Sequence, residues 1–356
     1  MKKEFLPASD VARDALEAHS CKIRRSIVHL LEVMQSSAGV AHPEISTVIE
    51  VVRRSLRFPP ETHFYHNKLI SAMRCQDPDT AETAYQKLAR SVIGKHDSSA
   101  ISIANIGAAD WEREVLGSAV EIASLETGQD ACAQPLSPDE FAEQSANLGT
   151  GLNIIRRHHP SMYSELTALV QSIKLFSGKI TQGLTDTRAF GEIYVRIPRQ
   201  CVAPVPYYVE HVVHEASHTY LNCLMADDAI VLNEAGEKYT SPLRKDPRPM
   251  YAVYHATFVA ARMALAFKTI FESTNDSHWA KLLAEVADET LRGIDTIRKS
   301  AILTVRGQAI FIEINRLQSQ ISGMPIWRHF DFKQVRPHRG GAGVAQHSTF
   351  QTFLNP

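Results

Sequence analysis

Apolar residues recur at three- and four-residue spacing along most of the chain, the signature of helices with one buried face. Val11, Leu16, Ile23, Ile27, Leu30, Leu31 and Met34 predict one or two helices over 9–36. Ile45, Val48, Ile49 and Val52 predict another from Pro43 to Leu56. Pro59-Pro60 reads as a stop, with helix resuming from Thr62 to Met73 and again from Thr80 to Ile93, ended by Gly94. The pattern is less regular from Ile101 to Ala133, where Asp110 is expected to cap a short helix, and Gly128 to Pro135 reads as a linker. Ser137-Pro138-Asp139-Glu140 combines an N-cap residue with proline at the first helical position, so a helix is expected from Pro138 to about Arg157. His158 and His159 are read as capping its C-terminal end, where positive charge on imidazole is favoured, rather than as ligands. Helix is then expected over Ser161–Leu175, Tyr207–Met225 and Met250–Phe271, with two more helices within 278–321.

One stretch alternates with a period of two. In Gly191–Ile197, Ile193, Val195 and Ile197 share one face and Glu192, Tyr194 and Arg196 the other, which predicts a half-buried strand. The expected fold class is therefore α+β, predominantly helical, with a small sheet beside the helix over 207–225. Three parts are expected: a helical N-terminal region over 1–130, a catalytic domain over 138–326 and an irregular tail over 327–356.

Composition narrows the function classes. The chain has 356 residues and a formal net charge of -1, with charges of both signs interspersed, which disfavours nucleic acid or an anionic membrane surface as the main partner. Five scattered cysteines without C-x-x-C spacing argue against a disulfide framework or a cysteine zinc site and fit a reducing cytoplasm. The first residues have no apolar core of a secretory signal, and no apolar run of membrane-spanning length occurs.

The chemistry concentrates at His214-Glu215-Ala216-Ser217-His218, an H-E-x-x-H motif. Residues four apart lie on one helix face, so His214 and His218 can aim two imidazoles at one metal ion with Glu215 beside them. A third protein ligand is needed. Glu234 and Glu237 lie in a polar stretch that also reads as surface, whereas His255 stands in an otherwise apolar helix and is favoured. His211, about one turn before His214, is expected to support the site rather than ligate. Between them, Tyr239–Pro249 holds three prolines that stiffen a loop carrying Arg244 and Arg248. Each guanidinium is suited either to clamp a carboxylate or to pair with Asp246 or Glu237. His63 and His66, three apart on a helix, read as a solvated or hydrogen-bonded pair rather than a metal site.

Residues 187–260 resemble the H-E-x-x-H proteins associated with ribosomally made peptide natural products. The resemblance runs through Arg188-Ala-Phe-Gly191 and the strand after it, His214–His218, Tyr239-Thr-Ser-Pro-Leu-Arg244, Asp246-Pro-Arg-Pro249 and His255. This chain has Leu243 where tryptophan is common and Ala256 where glycine is common; the first 130 residues carry no match. The resemblance implies a zincin-like core and a non-haem iron(II), 2-oxoglutarate-dependent oxygenase that hydroxylates a β-carbon in a precursor peptide. It implies iron on His214, His218 and His255, with Arg244 or Arg248 on the distal carboxylate of 2-oxoglutarate. The alternative is a zinc peptidase in which Glu215 is the general base and Glu234 or Glu237 the third ligand. A non-catalytic binding protein is a third reading. The expected partner is the precursor peptide, the N-terminal helices being candidates to hold its leader part, with a homodimer left open.

Overall fold

The computed structural model describes residues 4–37, 43–94, 100–200, 202–244 and 246–324. The tail expected over 327–356 lies outside the described residues. Four helices come first: α1 (Ser9–Ser37), α2 (Pro43–Arg54), α3 (Pro60–Arg74) and α4 (Pro78–Ile93). The 9–36 periodicity thus forms a single helix. Pro59-Pro60 starts α3 rather than stopping a helix, because proline at the first helical position lacks only an N–H that has no partner there. Asp77 caps α4 by accepting from the Thr80 amide, and Gly94 ends it.

The segment with the weakest pattern holds β1 (Ser102–Asn105), α5 (Asp110–Thr127) and β2 (Ala133–Gln134). Asp110 is the first residue of α5 and Ala109 its N-cap, so the Asp110 side chain is free to pair with Lys87 and Arg113 instead of capping. α6 (Pro138–His158) carries a full capping box, with Ser137 and Glu140 each satisfying the other's backbone amide. α7 (Pro160–Leu169) follows directly, then β3 (Ser172–Gly178), β4 (Gly183–Thr185) and β5 (Glu192–Arg196). α8 (Pro204–Met225), α9 (Met250–Thr274), α10 (Ser277–Ser300) and α11 (Val305–Ser322) complete the chain.

The result is a predominantly helical α+β fold with a small mixed sheet. Its strand order is β1-β3-β5-β4, with β1, β3 and β5 parallel, β4 antiparallel to β5, and β2 antiparallel to the end of β3. Strands from both sides of the 128–135 segment therefore enter one sheet, and part of that segment is itself a strand.

Two sequence expectations fail here for one reason: the sheet is covered on both faces. Ile193 and Val195 pack into the core built with α6 to α11, and Tyr194 packs into a second core built with α1 to α5. Glu192 and Tyr194, expected on a polar face, are accordingly buried. They satisfy each other: the Tyr194 hydroxyl donates to Glu192 at 2.6 Å, and Ser172 donates to the same carboxylate at 2.7 Å. A strand buried on both sides loses the alternation that identifies it. The same burial hides β3, whose Ile173 and Leu175 read as the end of a helix.

His159 is a further correction. It is buried, and its Nδ1 accepts from the Met162 amide, capping the start of α7 rather than bearing charge at the end of α6. Burial lowers its pKa to about 4, with the Arg262 charge adding to the effect. A depressed histidine favours the folded state above the unfolded value near 6.5, and that contribution is lost as pH falls towards 4. His159→Asn keeps a capping acceptor without the titration. Urea midpoints at pH 7 and pH 4.5 should show it losing about 2 kcal/mol less than the native chain on acidification; equal losses would contradict this account. Among the described residues, no helix is long and apolar enough to cross a membrane.

Candidate metal centre

α8 begins with Pro204 at its first position, and from Tyr207 to Leu224 nearly every residue is buried, flanked by α6, α9 and the sheet. A helix buried all round must find partners for whatever polar side chains it carries. Its histidines find them on α9, which starts after the N-cap Pro249 and turns His255 inward. His218 is the hub: its Nε2 lies 3.0 Å from His214 Nε2 and its Nδ1 lies 2.7 Å from His255 Nε2. The three rings form a chain in the order 214, 218, 255, with ring centroids 4.7 and 4.6 Å apart. His214 Nδ1 rests 3.3 Å from the Met263 thioether, two turns beyond His255 on α9.

His218 and His255 are buried, whereas the His214 side chain is 27% exposed, so solvent reaches the chain of rings from the His214 end. Burial lowers His214 to about 4 and His218 well below its usual value, the neighbouring imidazoles adding to the shift of His218. Both are therefore neutral at pH 7, the state in which an imidazole nitrogen can take a metal.

The donor set fits a transition metal through His214 and His218. Two nitrogens each about 2.1 Å from one metal and at right angles lie about 3 Å apart. His255 meets the other nitrogen of His218, so the three do not share one focal point, and among the described residues no ready-made group of three or more His, Cys, Asp or Glu surrounds a single point.

Glu215 lies between β4 and the His214 ring. Thr185 of β4 donates to its Oε2 at 2.6 Å, and its Oε1 is 4.0 Å from His214 Nε2. Desolvation raises its pKa to about 8, Thr185 opposing the shift. Gly183 makes this packing possible: a Cβ there would stand 2.1 Å from Glu215 Oε1. His211 stacks edge-on against Tyr207 at 4.1 Å, and Tyr207 donates to the Arg196 carbonyl at 2.9 Å. His211 therefore braces α8 against β5.

The loop after α8 is closed by the pairing of Tyr239 with Arg248 and tied to α10 through Arg292, which donates to the Pro242 carbonyl. Arg244 forms a two-pronged pair with Glu126 of α5 at 3.2 and 3.3 Å. Arg248 lies 3.7 Å from the same carboxylate and 2.7 Å from Asp246. Both guanidinium groups thus meet on one carboxylate, supplied by the chain itself. Glu237 accepts from Tyr239, and neither it nor Glu234 bonds to the histidines.

The sequence singles out the three histidines, Glu215 and both arginines. It does not single out Thr185, Gly183, Met263 or Glu126. Met263 alone carries a local signal, two turns from His255 on one helix face. No protein-family model matches the chain, and no match is found among curated proteins.

Proposed function

We propose that the chain is a non-haem iron(II), 2-oxoglutarate-dependent oxygenase that hydroxylates a β-carbon of a residue in a ribosomally made precursor peptide. The observation that carries the reading is the approach of His214 Nε2 and His218 Nε2 to 3.0 Å, a spacing that suits two ligands of one metal, with His255 against the other nitrogen of His218. Iron(II) and 2-oxoglutarate, when bound, supply the oxidising power to insert one oxygen atom into a C–H bond. The rest falls to the chain's own residues. His214 and His218 would hold the metal, burial keeping both unprotonated, and His255 would be the third imidazole offered to it. Arg244 and Arg248, which now share Glu126, would pair with the distal carboxylate of 2-oxoglutarate. Thr185 fixes Glu215, which stays out of the metal's ligand set and excludes water behind His214.

The competing zinc-peptidase reading needs Glu215 as a free carboxylate that takes a proton from water. The Thr185 hydrogen bond holds one oxygen of that carboxylate at 2.6 Å. A zincin-like arrangement of α8 beside β4 and β5, a cytoplasmic location and a precursor peptide as partner belong to the same proposal, with a homodimer left open.

Glu126 gives a direct test of the arginine fork. In Glu126→Gln the competing charge is gone, so 2-oxoglutarate should bind about two- to fivefold more tightly, the range expected for losing a partly exposed ion pair. Calorimetric titration with manganese(II) in place of iron reads the affinity without turnover. An unchanged or weaker affinity would separate the arginines from cosubstrate binding.

A further inference from the structure

A second group of histidines lies between α1 and α3. His63 and His66 face inward from α3, both 3% exposed. His19 of α1 stacks on His63 with ring centroids 5.6 Å apart, and on Phe190 at 4.3 Å. Phe190 also touches His63 at 5.3 Å, so its ring walls one side of the group. Arg57, in the turn before α3, is close enough for its charge to act on His63.

The hydrogen-bond inventory of this group does not close. Ser26 meets His66 Nε2 at 2.8 Å. His66 Nδ1, both ring nitrogens of His19, and Nε and Nη2 of Arg57 are buried with no partner among the described residues. Each such group costs about 1–3 kcal/mol, and folded proteins leave few of them. Five in one place mark a position meant for something else. Its polarity follows from the charges around it. Arg57 is a cation, its pKa lowered by burial only to about 10, and Lys22 acts on His19 from the next turn of α1. Asp227 is the only carboxylate among the described charges acting on these four side chains, and it acts on His19 alone. A metal ion would have to sit beside an unpaired guanidinium, whereas an anion would be held by it. Arg57 is half-buried, which leaves a route from solvent.

We propose that Arg57, His19 and His66, walled by Phe190, form a binding site for a small oxyanion, a carboxylate or a phosphate group, separate from the His214 centre. The guanidinium fork supplies charge and two N–H donors, and the imidazoles supply one N–H each. The site stands independently of the metal reading.

The test uses the full chain with inorganic phosphate and with acetate, each against chloride at matched ionic strength. A saturable rise in thermal midpoint with phosphate or acetate is expected, and whichever anion acts identifies the group. Arg57→Gln should weaken that anion at least about tenfold, the cost of losing a charged hydrogen-bond donor. The anion-free variant should be at least as stable as the native chain, because a buried unpaired charge is gone. His19→Gln should show the same loss of affinity, which preserves the test if Arg57→Gln fails to fold. Arg53→Gln, on an exposed ion pair of α2, should change nothing. No saturable effect of either anion, an anion effect undiminished from the native chain in both Arg57→Gln and His19→Gln, or stabilisation by zinc(II) or nickel(II) alone would overturn the proposal.

Discussion

His218→Ala, reconstituted without oxygen, is expected to bind iron(II) at least about 100-fold more weakly than the native chain. His218 is the only ring that touches both others, His214 at 3.0 Å and His255 at 2.7 Å. Its removal leaves two imidazoles on separate helices without a common neighbour. Alanine is the strongest helix former, so α8 should persist and far-ultraviolet circular dichroism should not change. The neighbours set the scale. His211→Ala removes a ring that stacks on Tyr207 outside the chain, and its effect should stay within about tenfold, as for residues that only orient a ligand. Glu234→Ala and Glu237→Ala should leave metal affinity unchanged. Native affinity in His218→Ala, or a loss in Glu234→Ala matching it, would shift the centre away from the three histidines.

Glu165→Ala should destabilise the fold by about 3–5 kcal/mol, read from urea midpoints at neutral pH. Glu165 of α7 pairs with Arg262 of α9, and the two side chains are only 3% and 1% exposed. Arg262 also donates to the Phe5 carbonyl at 2.7 Å and to Ser217 at 3.3 Å, and its guanidinium lies 4.9 Å from the Tyr220 ring. It therefore ties α9 to α7, to α8 and to the start of the chain. Taking away the carboxylate strands a buried cation with no solvent to receive it. Replacing both partners by apolar residues, Glu165→Leu with Arg262→Met, should recover most of the loss, since the desolvation cost then disappears with the pair. Recovery of nothing would mean that packing, not charge, is what the pair provides. Ser217 precedes His218, and Arg262 stands seven residues, about two turns, beyond His255. The pair thus sets how α8 and α9 meet, and Glu165→Ala should weaken metal binding as well.

The helices were legible because their information is local. Ser137-Pro138 and Glu140 specify the start of α6, and Val209, Val212, Val213 and Leu224 specify that α8 is buried. His214 and His218 share a face by spacing alone, and His255 stood out as a lone histidine among apolar residues. What stayed hidden depends on distant parts of the chain. The inward turn of Glu192 and Tyr194 requires helices on both faces of the sheet. The turn of Glu215 towards Thr185 requires β4 to pass close by, which Gly183 permits. The partner of Arg244 lies 118 residues away in α5, a segment whose own pattern was weak. His63 and His66 are buried rather than solvated, and His19 joins them from another helix, which their spacing alone does not show.

The most direct test of the central claim is the mass of the cognate precursor peptide after incubation with the protein, iron(II), 2-oxoglutarate and oxygen. A gain of about sixteen mass units, one oxygen atom, dependent on 2-oxoglutarate and lost in His218→Ala, is the predicted result. Peptide cleaved with zinc(II), without need of 2-oxoglutarate and abolished in Glu215→Gln, would contradict it and make the chain a hydrolase.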